Sequence, residues 1–523
     1  MKFFAQFGPR KKRIVLESTG AGVALLDYDL DGDLDLYFVN GWSGSVLKGK
    51  SRPVRNALFR NVGEWKFEDV TDAAGVGDTG WGGGCAIGDV DGDGDPDIYV
   101  TNFGANVFYE NLGDGTFRER AVEAGIADMG WGLSAAFGDV DDDGDLDLYV
   151  TNYIDLDLDN PGRAGGFCPW LGLSVFCGPA GLVAKPDRLF QNDGTGRFQD
   201  ISKTSGIHDV KPGFGMGVVF GDLDEDGRTD IYIANDSGPN FLYRNLGQAR
   251  FEEVGTRAGV AYKSQGDSQA GMGTDLGDAN GDGRAEIFVT NFSQDHNTLY
   301  KNDGLGLFSC ATHTLGLGDP SWLFVGWGTK FFDLENDGDL DLFVANGHVY
   351  PSVDDNSFGM SYRQRDHLFI NTGRGRYREK GASRIRTATP DRSSRGAAFG
   401  DLDNDGDLDV VISAMDGAPM LLENRGGNRK SWLEIRLIGT WSNREGAGAR
   451  IVATCGRRRF VREATRSGSY CSSNDPRVHF GLGNAVVVDL LEVHWPSGTL
   501  QRFSSVPVSR EIKIHEERGI LTD

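Results

Sequence analysis

The sequence predicts an all-β protein: a seven-bladed β-propeller with calcium loops, followed by a small C-terminal β domain. Three observations carry this reading. An acidic nine-residue loop of one design recurs seven times, starting at Asp27, Asp89, Asp139, Asp222, Asp278, Asp333 and Asp401. Each copy sits in a unit with the signals of four short strands and no helical period. The charge changes sign near Arg425, with a net −30 on residues 1–424 and +6 on the remainder. Self-similarity at this spacing marks a repeat architecture, and a β-solenoid repeat is far shorter than the 50 to 83 residues between loop starts.

The loop itself reads as a hard-cation site. In Asp89-Val90-Asp91-Gly92-Asp93-Gly94-Asp95-Pro96-Asp97, oxygen side chains stand at positions 1, 3, 5 and 9, and Gly at position 6 allows the sharp turn. Calcium takes six to eight oxygens at about 2.3–2.6 Å, and a loop of this kind wraps it. The candidate ligands are Asp27, Asp29, Asp31 and Asp35; Asp89, Asp91, Asp93 and Asp97; Asp139, Asp141, Asp143 and Asp147; Asp222, Asp224, Asp226 and Asp230; Asp278, Asn280, Asp282 and Glu286; Asp333, Glu335, Asp337 and Asp341; and Asp401, Asp403, Asp405 and Asp409. An EF-hand needs a Glu at position 12. Here that position holds Phe38, Val100, Val150, Ile233, Val289, Val344 and Ile412, so the ninth-position acid closes the site instead. Asn280, and an Arg at position 7 of two loops (Arg228, Arg284), predict weaker binding in the fourth and fifth loops. Each ligand set is supplied by its own loop with no neighbouring base, so up to seven Ca²⁺ are expected to be structural. These loops hold 34 of the 77 acids, and seven Ca²⁺ would reduce the net charge from −24 to −10.

The elements of each blade follow in order. A Gly-rich apolar strand (Gly83–Gly88, Ala135–Gly138, Val218–Gly221) enters the loop, and an apolar strand such as Ile98-Tyr99-Val100 leaves it. The third strand ends in aromatic-x-Asn: Phe59-Arg60-Asn61, Tyr109-Glu110-Asn111, Phe190-Gln191-Asn192, Tyr243-Arg244-Asn245, Tyr300-Lys301-Asn302 and Phe369-Ile370-Asn371. A Gly turn and a fourth strand such as Thr116–Glu119 complete the unit. The seventh repeat lacks its fourth strand after Leu421–Asn424, so a strand from Met1–Phe7 or Arg13–Glu17 is expected to close the ring. Long insertions at about 41–57, 153–187 and 347–366 join second to third strands, which places them on the face opposite the loops. Such loops on a rigid scaffold are the expected binding face. Gly-aromatic-Gly units at Trp81, Trp131, Phe214 and Trp327 are expected to wedge between blades.

Of six cysteines, Cys168 and Cys177, and Cys455 and Cys471, are candidate disulfide pairs; Cys85 and Cys310 are expected to be free. The basic run Arg457–Arg462 either grips a polyanion, forms a solvated hairpin, or docks on the acidic propeller. No catalytic signature is present, His348 being the one His placed on an insertion, and no apolar run reaches a membrane span. Residues Met1–Pro9 are too short and broken for a signal peptide's apolar region.

The seven loops resemble FG-GAP/VCBS repeats, the calcium-loop propellers also found in integrin α heads. Asn443–Arg450, Ser469–Ser472, His479–Gly483 and Trp495–Gly498 resemble the ASPIC/UnbV domain, and the combination is similar to the cartilage acidic protein family. The expected division is a propeller over 1–428 and a β-sandwich-like domain over 429–523. The resemblance implies calcium binding and an extracellular or periplasmic interaction scaffold: a monomer with a protein or glycan ligand, no nucleic acid and no enzymatic activity. The rival expectation is an enzyme or enzyme partner in a natural-product pathway, using a propeller-face pocket.

Overall fold

The structure, a computed structural model, describes residues 1–46, 49–380 and 391–521. Among the described residues, seven antiparallel sheets follow one another between Val23 and Leu422, six of four strands and the last of three, with a separate two-stranded hairpin inserted in the third. Their inner strands are Val23–Leu26, Trp81–Gly88, Gly132–Gly138, Gly215–Gly221, Thr274–Gly277, Gly326–Phe332 and Ser394–Gly400. Each touches the next, and the first touches the last, so the sheets form a closed propeller. Between sheets lie apolar cores such as Leu26, Tyr37, Ile87, Ile98 and Phe117.

The aromatic-x-Asn motif fastens the ring. The side-chain amide of Asn111 donates to the Tyr28 carbonyl at position 2 of the preceding blade's loop, and Asn192 does the same to Val90. Asn245, Asn302, Asn371 and Asn424 repeat the bond to Val140, Leu223, Ala279 and Leu334, and Asn61 reaches back to Leu402 of the seventh blade. The seven bonds span 2.7–3.3 Å and complete a circuit.

The expected N-terminal closing strand is not formed. The amino-terminal segment meets the seventh sheet at the turn before its last strand, where the Ala5 amide donates to the Gly417 carbonyl. Its apolar side chains are drawn elsewhere, because Gly8 and Pro9 interrupt any strand register and Phe7 is fully buried in the central cluster. Lys12, also buried, pairs with Asp416.

Residues 431–520 build two four-stranded sheets around Leu433, Ile451, Phe480, Leu491 and Ile514. This unit lies on the acidic-loop face of the propeller, with Arg436 at Asp27, Trp432 at Gly406 and Arg458 at Asp339. From it a tongue, Ser467–Asp475, enters the axis and bonds to all seven inner strands. Ser473 N donates to Val23 O, Cys85 N to Cys471 O and Ser469 N to Thr274 O, at 3.1, 3.2 and 2.7 Å. Cys471 N donates to Ser134 Oγ, and Ser467 Oγ accepts from Phe220 N. Ser469 Oγ accepts from Thr329 N and donates to Ala397 O. A Cβ on Gly22 or Gly84 would stand 2.0 or 2.7 Å from Cys471, so glycine is required where the tongue passes.

Each buried Asn of the circuit satisfies two backbone carbonyls, one in its own blade and one in the preceding blade's loop. Asn192→Ala removes its bonds to Val90 O and Leu146 O. It should lower stability by about 2–4 kcal/mol, measured by thermal or urea unfolding, since stranded buried carbonyls cost about 1–3 kcal/mol each.

Candidate metal centre

The seven loops share one internal geometry. The position-6 glycine amide donates to the position-1 carboxylate at 2.6–3.2 Å in every loop. The position-9 acid accepts the position-2 amide at 2.8–3.1 Å. Its second oxygen accepts the backbone amide of the motif Asn at 2.7–2.9 Å in six blades. Asp35, Asp97, Asp147, Asp230, Asp341 and Asp409 thus act first as struts between loop and third strand.

Three carboxylates converge within 4.8 Å of one another in five loops: Asp27, Asp29 and Asp35; Asp89, Asp91 and Asp93; Asp139, Asp141 and Asp147; Asp222, Asp224 and Asp230; Asp401, Asp403 and Asp409. Buried oxygens of Asp27, Asp29, Asp89, Asp139 and Asp141 have no hydrogen-bond donor, which fits a cation as their partner. Position-5 acids stand outside four of these groups. Asp31 and Asp143 accept backbone amides two residues on, Asp226 pairs with Arg228, and Asp405 accepts from Asn428 Nδ2.

Among the described residues, the fifth and sixth loops form no such group. Asn280 Nδ2 donates to Glu286 Oε1 at 2.6 Å, placing a donor where the other loops offer an oxygen. Arg284 pairs with Asp282, Lys430 with Asp337. Both loops face Arg462 of the C-terminal unit, whose positive charge opposes the rise that burial imposes on Asp278 and Asp333. The fourth and second loops instead meet carboxylates. Glu463 accepts the Asp222 amide and, by burial and then the Asp222 charge, is pushed up to about 8. Glu445 adds negative charge at Asp89. The basic run therefore docks on the propeller through Arg458, Phe460 and Arg462, with Arg457 and Arg459 outward.

Burial, followed by neighbouring acids, raises the loop carboxyls: Asp89 and Asp139 to about 7. For Asp35, Asp230 and Glu286 burial outweighs the backbone amides that favour the anion, giving about 8. What the loops can do chemically is exchange protons for a divalent cation.

Comparison with known proteins places this architecture. The FG-GAP-like repeat matches residues 27–100, 89–150, 175–233, 222–289, 278–344 and 354–412, and the ASPIC and UnbV domain matches 439–520. The chain belongs to the FG-GAP-like repeat family. It is similar to Cartilage acidic protein 1 of Mus musculus, 25% identical over 353 residues, covering 66% of this chain and 50% of the relative. The Xenopus tropicalis protein of that name is 26% identical, covering 55% and 42%. The chain thus spans about half the length of the curated relatives it matches. Among solved structures it resembles an Agrocybe aegerita lectin that recognises non-reducing terminal N-acetylglucosamine, at 18% identity and TM-score 0.41, covering 69% of this chain and 80% of that one.

The opposite face of this FG-GAP propeller is filled. The insertion hairpin Phe167–Trp170 and Leu173–Phe176, closed by a Cys168–Cys177 disulfide, folds over the axis. Trp170 packs on Phe292, His348 and Tyr350, and Phe176 on Tyr350. Trp81, Trp131 and Phe214 pack on Trp42, Phe103 and Tyr153 of the preceding blade, and Trp327 on Arg395 of the next, so they sit between blades while also joining this central cluster. His348 is fully buried and held neutral, its pKa lowered to about 3 by burial and then by Arg395. Arg395 lies over Trp327 at 4.0 Å and donates to the Ser18 and Gly347 carbonyls. The expected Cys455–Cys471 pair is not formed: Cys471 is taken into the axis by the tongue, and Cys455 stays on a strand of the C-terminal unit. The tongue and the Asn circuit were missed in the sequence; the recurring Asn was the available signal for the second.

Two outcomes follow for the loops. The folded, metal-free loops hold protons more tightly than the unfolded chain, so in chelator stability should fall as pH rises from about 4 through 7–8. Calcium should flatten that slope and release protons on binding, read by calorimetry in buffers of different ionisation enthalpy. Arg462→Ala should lower the melting temperature by several degrees in chelator and by as much in millimolar calcium, because, among the described residues, the two loops it faces form no converging group for the ion.

Proposed function

We propose that this protein is a calcium-stabilised, non-enzymatic interaction scaffold that works outside the cytoplasm and meets its partner on the insertion-bearing face. The loop face is covered by the C-terminal unit, which leaves the insertions as the open surface. The observation that carries the reading is a group of exposed apolar side chains there. Phe167 is 56% exposed, Leu171 38% and Val183 69%. They sit on or beside a disulfide-pinned hairpin whose inner side is anchored to the aromatic cluster. A rigid rim with outward apolar residues is what a protein or glycan partner needs. The disulfide favours an oxidising compartment, and the relatives named for cartilage agree with that placement. Calcium's role in this reading is to neutralise the converging loops, and it supplies no chemistry at the partner face.

The enzyme reading draws on one pair: Tyr153 donates to Asp236 at 2.5 Å. Tyr153 is fully buried between Trp131 and Phe214, which leaves a substrate no approach to its hydroxyl.

The test is a screen of immobilised matrix proteins and glycans with the wild-type chain and a Phe167→Ser/Leu171→Ser variant. The variant should keep its melting temperature and lose the interaction at least tenfold. Partner binding that survives both this substitution and blocking of the hairpin would overturn the assignment of the face.

A further inference from the structure

The seventh sheet is the exception in the ring. Among the described residues its last strand, Met420–Leu422, pairs only with Asp409–Ala414 and leaves its other edge open. In the other six sheets a short outer strand takes this edge in a fixed register. An aromatic residue stands opposite the motif Asn: Phe67 at Asn61, Phe117 at Asn111, Phe251 at Asn245, Tyr377 at Asn371. The residue two further on is usually an acid, and the one between meets the third-strand residue before the Asn. That middle pair is oppositely charged where both members ionise: Arg60 with Glu68, Glu110 with Arg118, Arg244 with Glu252.

Beside the open edge lies a cavity of about 870 Å³. Phe332, Phe343, Leu368 and Leu422 line it, together with Arg425, which pairs with Glu423, and Lys430, which pairs with Asp337. Asn424 occupies the motif position, its amide bonded to Asp409 and its side chain to Leu334 O, as in the complete blades. The half of the site that this chain supplies is therefore preset.

We propose that this edge accepts an extended segment of a partner polypeptide, with the pattern aromatic–basic–acidic, as an antiparallel fourth strand. The aromatic side chain would lie opposite Asn424, in the position Phe117 takes opposite Asn111. The basic residue would join Arg425 at Glu423, as Arg118 and Arg120 share Glu110 in the second blade. The acid would lie opposite Leu422, in the position Glu119 takes opposite Tyr109. Main-chain bonds along an open edge supply affinity in such strand addition, and alternate side chains supply selectivity.

The second blade provides the probe, because its third strand carries Glu where the seventh carries Glu423. A fluorescein-labelled, end-capped peptide of residues 114–122 is titrated against the whole chain by anisotropy, with amide exchange read at Met420–Asn424. Saturable binding that slows exchange there is expected. Phe117→Ala in the peptide should weaken binding about tenfold, since it removes a large apolar side chain from the cavity. Arg118→Glu in the peptide should weaken it about three- to tenfold, and that order should reverse on a Glu423→Arg protein. No binding at millimolar peptide, or binding indifferent to both the aromatic and the charge swap, overturns the proposal. So does concentration-dependent dimerisation that protects the same residues without peptide, because the edge would then serve a second copy.

Discussion

A single side-chain amide, repeated around the ring, holds this propeller in register. The motif Asn ties its own third strand, through its backbone, to the acid that ends the loop; through its side chain it ties the loop of the preceding blade. Blade and neighbour are thereby fixed at the same point where the acidic oxygens must converge. Propellers must join their last blade to their first, and here the join is made by inner-strand contact and by Asn61 at Leu402, with no strand shared between the two among the described residues. Closure by buried hydrogen bonds in place of a shared strand explains how the seventh blade can be left a strand short.

The second constraint is electrostatic. Seven clusters of acids on one rim repel one another, and the C-terminal unit answers them unevenly. Arg436 and Arg462 bring positive charge to some loops, whereas Glu445 and Glu463 bring more negative charge to others. The loops that meet a carboxylate belong to the group with converging oxygens; the two that meet Arg462 do not. The first and seventh loops converge even though Arg436 and Arg477 stand beside Asp27 and Asp401, so positive charge from the C-terminal unit does not by itself decide which loops gather their oxygens.

Much of this was legible in the sequence because it is local. Spacing of acids, the Gly at position 6 and the apolar position 12 are all read within a dozen residues, and they gave the sheet count and the loop geometry. Position 9 was legible as a ligand but not as a strut, because its backbone donors come from residues far along the chain. Cys471 illustrates the limit. Its nearest cysteine in the sequence, Cys455, suggested a pair, yet Ser467–Asp475 leaves its own domain for the axis of another. Nothing in the composition of that stretch marks its destination, since the complementary feature is the absence of side chains at Gly22 and Gly84. The insertions were placed on the correct rim by strand parity alone, while the aromatic cluster that fills the axis beneath them depends on contacts between blades.

The tongue also orders events in time. The propeller strands precede the tongue in the chain, so a ring assembled during synthesis has an axis lined by bare backbone until residues 467–475 arrive. Inner strands that present unpaired amides toward a hollow centre are sticky toward any other chain. The arrival of the tongue therefore decides whether the molecule is sealed or left open to aggregation, and damage to the C-terminal unit should be felt in the propeller.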